Sequence, residues 1–217
     1  MDNNLFVLSE HSSIANQFLS ELRDAGLQKD RMRFRRNMER LGEILGYEVS
    51  KKLPYHSKKV ETPLGESTIQ VLEENPVLIT ILRAGIPFQQ GFLNIFDDAD
   101  CGFIGAYRNE GGNKVTVNVD YMSVPPVRGK SVVLIDPMLA SGRSVLDAQK
   151  LLISKGKPTH LYIVSVVAAP EGLQLLKENL TLPYSLWTCA VDEKLNSSFY
   201  IVPGLGDAGD LSYGIKQ

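Results

Sequence analysis

Residues Ser131–Val145 read SVVLIDPMLASGRSV, and this stretch decides the fold. Val132, Val133, Leu134 and Ile135 form a short, mostly β-branched run of the kind that makes a strand buried on both faces of a parallel sheet. Asp136 stands where that strand ends. From Ser144 onward, Val145, Ala148, Leu151 and Leu152 recur at helical spacing, so the spacing predicts a helix over Arg143–Lys155 with Ala140–Ser144 in its turn and first turn. A helix start offers backbone N–H groups without intrahelical partners and the positive end of the macrodipole, and small residues let a phosphate come close. Ser141 and Ser144 add hydroxyl donors. An ordinary strand-to-helix connection is the competing reading, because short motifs arise by chance.

Working outward, the chain alternates. Strands are predicted at Val77–Leu82, Cys101–Tyr107, Ser131–Ile135, His160–Ala168 and Ser185–Val191, separated mostly by helices at Phe88–Phe96, Arg143–Lys155 and Glu171–Asn179. That order implies an α/β fold with a parallel twisted sheet flanked by helices. Ahead of it comes an N-terminal helical segment. Ile14, Phe18, Leu19 and Leu22 share one helical face, and Phe34, Met38, Leu41, Ile44 and Leu45 share another along Arg31–Leu53. The arginines at 31, 33, 35, 36 and 40 are interleaved with Glu39, Glu43 and Glu48, as on a solvated or subunit-facing helix. Val60–Leu72, centred on Pro63-Leu64-Gly65, predicts a hairpin.

The 217 residues suffice for a sizeable core, and no repeat or Gly/Ser linker divides them, so residues 1–217 are expected to form a single domain. The balance of 23 basic and 25 acidic residues gives no electrostatic case for nucleic acid or membrane partners. No apolar run is long enough to span a bilayer, and MDNNLFVLSE lacks the features of a signal peptide, so a cytoplasmic protein is expected. Cys101 and Cys189 lie far apart in apolar runs, as buried free thiols do.

In a parallel α/β sheet ligands collect at the carboxyl ends of the strands, which predicts Arg83, Arg108 and Asp136 on one rim. Arg83 opens the turn Arg83-Ala84-Gly85 after an apolar strand, and its planar fork of donors suits a diphosphate. A surface ion pair is the alternative for a lone arginine there. Arg108 is read as closing the strand Phe103–Tyr107, ahead of the polar, glycine-rich Asn109–Lys114. That loop reads as a lid excluding water from a reacting site, or as the tip of a static surface hairpin whose second strand alternates through Val115, Val117 and Val119.

Near the C-terminus, Gly204, Gly206 and Gly209 match a dinucleotide fingerprint literally. The chain ends at Gln217, too soon for the helix, second strand and ribose-binding acid that the fingerprint needs. The glycines therefore serve another purpose, and a tight glycine-rich loop exposes backbone N–H and C=O groups.

These segments together resemble the uracil phosphoribosyltransferases, of the type I phosphoribosyltransferase superfamily. The resemblance rests on DPMLASGRS at Asp136–Ser144, on the Arg83-Ala84-Gly85 run, on the Tyr107-Arg108 pair, and on Ile201–Asp210 preceded by Asp192, Leu195 and Asn196. Where the superfamily has a second acid this chain has Pro137, as uracil enzymes do. Arg143 replaces a usual glycine and Leu211 a frequent arginine.

The resemblance implies transfer of a phosphoribosyl group from 5-phosphoribosyl diphosphate to uracil, giving uridine monophosphate (UMP) and diphosphate, as in pyrimidine salvage. It implies that Asp136, Pro137, Met138, Leu139, Ala140, Ser141, Gly142, Arg143 and Ser144 hold the phosphoribosyl end. Arg83 and Arg108 would hold the diphosphate, and Asp207 would face both that substrate and the reacting nitrogen. Ile201, Gly206 and Ala208 would read uracil through the backbone. Catalytic roles would fall to Asp207, Arg83 and Arg108. Mg2+ is the implied cofactor, carried mainly by the substrate diphosphate rather than by a protein cage. The implied partners are these small molecules, a guanosine triphosphate (GTP) effector and further copies of the chain in a homodimer or larger homo-oligomer. Two rivals stay open: a superfamily enzyme acting on a purine or orotate, and a nucleotide-sensing regulator that binds RNA.

Overall fold

The structure, a computed structural model, describes residues 4–109 and 116–215. In chain order, strand β1 (Leu5–Val7) leads to helices α1 (Ile14–Arg23) and α2 (Arg31–Ser50), then to the paired strands β2 (Tyr55–Thr62) and β3 (Gly65–Leu72). After these come β4 (Val77–Leu82), α3 (Ile86–Leu93), β5 (Cys101–Asn109), β6 (Thr116–Ser123), β7 (Ser131–Ile135), β8 (Met138–Leu139) and α4 (Arg143–Lys155). The chain closes with β9 (His160–Ala168), α5 (Pro170–Asn179), β10 (Tyr184–Val191), β11 (Lys194–Leu195), β12 (Ile201–Val202) and α6 (Ala208–Tyr213).

The principal sheet has the order β1-β10-β9-β7-β4-β5-β6, with β8 lying along β9 beyond the end of β7. Its neighbours pair in parallel except β5 and β6, which are antiparallel. The near-continuous apolar runs of β4, β7 and β9 follow from burial on both faces. Successive residues alternate between two cores. Val133 and Ile135 join the core covered by α1, α2 and α3, together with Leu22, Met38, Leu41, Phe88 and Phe92. Val132 and Leu134 face the opposite core, which α4 and α5 close with Val145, Leu152 and Leu176.

The N-terminal helices owe their bounds to local chemistry. Ser13 caps α1 by accepting from the Ala15 N–H, and Asp30 caps α2 by accepting from the Arg33 N–H. Close α2–α3 contact depends on Gly42 and Gly91, because a Cβ at either would collide with the other helix's backbone. The arginines of α2 are largely engaged within the chain: Arg33 pairs with Glu21, Arg36 with Glu39, and Arg40 lies 4.8 Å from the Phe18 ring centroid.

Several boundaries differ from the sequence reading. The hairpin before the sheet starts at Tyr55 rather than Val60, since its first strand is polar and exposed and is held by its pairing with β3. α3 starts at Ile86 because Pro87 is accommodated in its first turn, and it ends at Leu93, short of the buried Phe96. α2 stops at Ser50. β1 is a three-residue parallel edge strand on β10, too short to show periodicity.

Arg108 requires a correction. β5 does not close there but runs to Asn109, and its pairing with β4 stops at Leu82↔Gly105. Arg108 pairs with Val117 in a two-stranded β5–β6 ribbon that continues past the rim. At about 3.3 Å per residue, its backbone lies roughly 10 Å beyond the end of β4. The predicted lid or surface loop lies mostly at residues 110–115, outside the described residues. Among the described residues no helix is long and apolar enough to cross a membrane.

Candidate active site

Two strand ends form the base of the site. β4 stops at Leu82 and β7 at Ile135, and these strands pair side by side, which sets the Arg83–Gly85 turn next to Asp136. The Leu82–Arg83 peptide is cis. Gly85 is required by crowding: a Cβ there would stand 2.5 Å from Thr80 Cγ2, 2.8 Å from the Ile81 oxygen and 3.4 Å from the Ile135 oxygen.

Beyond β7 the chain stays anchored to β9. The Asp136 N–H donates to the Val164 carbonyl, the Pro137 carbonyl accepts from both Val166 and Val167, and Met138–Leu139 rejoin the sheet as β8. Asp136 Oδ1 accepts from the Met138 N–H at 3.2 Å, which braces the start of the loop. Pro137, Leu139 and Ala140 are buried, so of the predicted phosphate residues these can meet a ligand only through the backbone. Arg143 is exposed, Ser141 and Ser144 are partly exposed, and Gly142 is buried between them.

Gly142 is the N-cap of α4 at φ +77, and it has no side chain to bond the first-turn N–H groups. A Cβ there would lie 3.0 Å from the Gly172 carbonyl oxygen. Gly172 of α5 likewise lies against the Ala140 carbonyl with no room for a side chain. Two glycines therefore let α5 press against the back of the loop, and the start of α4 is left without a side-chain cap, a feature suited to an anion.

The C-terminal loop makes the opposite wall. β11 and β12 form a two-residue antiparallel clip, and Asn196 Oδ1 accepts from the N–H groups of Ser198 and Tyr200 to close the turn between them. After the cis Val202–Pro203 bond, Gly204 adopts φ +62 and Gly206 φ +88. Ile201, Leu205 and Ala208 are buried, whereas Gly206 is exposed. Asp207 caps α6, its Oδ1 accepting from the Asp210 N–H at 2.9 Å.

A contact absent from the sequence reading joins the two walls. Arg83 Nη2 donates to Asp210 Oδ1 at 2.8 Å and to the Gly214 carbonyl at 2.5 Å, tying the end of β4 to both ends of α6. The ion-pair alternative for Arg83 therefore holds in this structure. Gly209 lies between the groups in question, since a Cβ there would be 3.1 Å from Asp207 Oδ1 and 3.5 Å from Arg83 Nε. Arg35 of α2 supports the same helix by donating to the Ser212 carbonyl. Arg83, Asp136, the Ser141–Ser144 loop and Asp207 thus share one end of the sheet.

Among the described residues no cluster of three or more His, Cys, Asp or Glu is arranged to hold a metal. The two cysteines are free, and burial pushes the Cys189 thiol well above the ordinary range. Cys101 begins β5, at the opposite end of the strand from the site.

Comparison with known proteins places this geometry. The sequence profile described as uracil phosphoribosyltransferase matches residues 8–215. The chain belongs to the uracil phosphoribosyltransferase family. A uracil phosphoribosyltransferase from Porphyromonas gingivalis is 43% identical over 209 residues, covering 96% of each chain. One from Pyrococcus furiosus is 36% identical over 208 residues, covering 94% of this chain and 88% of the relative. A solved protein structure from Aquifex aeolicus superposes with a TM-score of 0.86 at 32% identity, covering 97% of this chain and 98% of that one. In this uracil phosphoribosyltransferase-family chain, the sequence reading found the strand, acid and loop, but it missed Asp210 and Arg35. Their contacts cross 127 and 177 residues, and no local pattern announces them.

Proposed function

We propose that the chain transfers the 5-phosphoribosyl group of 5-phosphoribosyl diphosphate to N1 of uracil, forming UMP and diphosphate. The observation that carries this reading is the match of residues 8–215 to uracil phosphoribosyltransferases, on a chain whose paired strands β4 and β7 set the Arg83 turn beside Asp136. The Arg83–Asp210 contact at 2.8 Å then joins that rim to the helix capped by Asp207.

In this reading the N–H groups of Ser141–Ser144 hold the 5′-phosphate and Asp136 reaches the ribose hydroxyls. Arg83 turns from Asp210 to the diphosphate, and Arg108 reaches it from the β5–β6 ribbon. Ile201, Gly206 and Ala208 present backbone groups to the alternating edge of uracil. A cytosine would place a donor where uracil has an acceptor and leave buried groups unpaired, a strong basis for discrimination. As the bond from the anomeric carbon to the diphosphate lengthens, positive charge develops on the ribose and N1 closes on that carbon. Asp207 faces this centre, where a carboxylate serves by accepting the N1 proton or by balancing the ribosyl charge. The chain's work is chiefly orientation and preorganised charge.

Asp136 and Asp207 supply only hard oxygen donors, which fits Mg2+ held by one or two carboxylates and the substrate. Mg2+, when bound, neutralises charge on the diphosphate. The same reading makes the enzyme a cytoplasmic homo-oligomer of pyrimidine salvage with GTP as an effector. The exposed β2–β3 hairpin supports self-association, because an isolated two-stranded hairpin is marginal in water.

The test is to incubate the protein with uracil, 5-phosphoribosyl diphosphate and Mg2+, with and without a chelator. The expected result is UMP and diphosphate in equal amounts, lost on chelation and restored by Mg2+. Absence of UMP from the folded protein would overturn the reading.

A further inference from the structure

The last residue of α1, Arg23, reaches across the molecule to the C-terminal loop. Its Nη2 donates to Asp192 Oδ1 at 2.6 Å and its Nη1 to Asp192 Oδ2 at 2.9 Å, while Nη1 also donates to the Gly204 carbonyl at 2.9 Å. Asp192 Oδ2 in turn accepts from the Gly204 N–H at 2.8 Å. Both backbone groups of Gly204 are therefore held by one ion pair, and the Asp192 side chain is only 5% exposed. Gly204 tolerates no alternative residue, because φ is +62 and a Cβ would collide with the Ile201 carbonyl oxygen. The Arg23 backbone contributes as well: its carbonyl accepts from Gln28 Nε2, and Gln28 Oε1 lies 3.8 Å from where a Cβ on Gly206 would be.

We propose that Arg23, through Asp192, is a positioning residue that sets the conformation of the base-reading loop, so that capture of uracil depends on the N-terminal helix. The inference rests on the reading that Ile201–Ala208 holds uracil. Gly204 stands midway between Ile201 and Asp207, and rotation at it would re-aim every backbone group proposed to meet the base. The phosphoribosyl loop at Ser141–Ser144 is backed by α5 and owes nothing to this pair. The two substrates should therefore respond differently. Lysine is not an equivalent of Arg23, because a single ammonium cannot present a planar fork to both Asp192 oxygens and also reach the Gly204 carbonyl.

The test compares wild type with Arg23→Lys and with the neutral double variant Arg23→Gln/Asp192→Asn, which leaves no unpaired buried charge. Thermal melting identifies the folded variants, and KM is measured for each substrate. The expected result is a rise of about tenfold in KM for uracil, the scale of one lost hydrogen bond to a charged group. KM for 5-phosphoribosyl diphosphate should stay within about twofold. Unchanged uracil KM, a parallel rise in both KM values, or failure of both variants to fold would overturn the proposal. Failure of the wild type to form UMP would instead sink the reaction itself, so the two failures are distinguishable.

Discussion

Replacing Gly142 by alanine separates backbone strain from function, because the molecule carries its own control. Gly142 sits at φ +77 with the Gly172 oxygen 3.0 Å from a Cβ, whereas Gly129 sits at φ +74 with nothing within 4 Å. Forcing a non-glycine residue into this region costs about 1–2 kcal/mol. For a chain of this size each kcal/mol lowers the melting temperature by about 2–4 °C. Both Gly129→Ala and Gly142→Ala should therefore melt several degrees below wild type. Only Gly142→Ala should lose activity, because relief of its contact with α5 displaces the N–H groups at the start of α4. Loss of one hydrogen bond to a charged phosphate, about 1.5–3 kcal/mol, corresponds to a fall of tenfold to over a hundredfold in kcat/KM for 5-phosphoribosyl diphosphate. Melting curves and initial rates measured on both variants decide it. If Gly142→Ala kept the kinetics of Gly129→Ala, the loop would not be the phosphate cradle.

Three further outcomes follow from the same geometry. Arg83→Ala should raise KM for 5-phosphoribosyl diphosphate at least tenfold while costing under about 1 kcal/mol in denaturant unfolding, since its partly exposed pair with Asp210 is worth little by itself. Asp207→Asn should lower kcat with almost no change in melting temperature, because asparagine caps a helix as well as aspartate does; a large stability loss with normal kcat would contradict this. Glu21 is held down to about 2, first by the Asn37 side chain and then by Gln17 and Arg33. Its folded-state pKa is depressed, so it stabilises the fold above the unfolded value of 4.5 and loses that contribution as pH falls toward about 2. Unfolding measured between pH 6 and 3, within the range where globular proteins titrate their carboxylates, should show a shallower decline for Glu21→Gln than for wild type. Parallel curves would refute it.

The parts of the fold legible in the sequence are those set by local pattern. The run Val132–Ile135 demanded a doubly buried strand, and the small residues after Asp136 demanded a loop opening a helix at Arg143; both stand with those bounds. β4 and β9 were readable for the same reason. Illegible were features held by distant partners. Arg108 reads as a strand end because polarity resumes there, yet backbone pairing with β6 carries the strand onward to Asn109. The Arg23–Asp192 pair spans 169 residues, and neither residue's neighbours foretell the other. Arg83 was legible as a rim arginine, while its Asp210 partner belongs to a helix whose position only the folded chain defines.

The most direct test of the central claim is the nucleotide formed when the purified protein, 5-phosphoribosyl diphosphate and Mg2+ are offered uracil, cytosine, orotate, hypoxanthine or adenine. Formation of UMP from uracil, with no nucleotide from the other bases, is the predicted result. A nucleotide from a purine or orotate in preference to uracil would contradict the assignment of Ile201–Ala208 as the uracil reader. Tight binding of 5-phosphoribosyl diphosphate with no nucleotide from any base would contradict the enzyme itself.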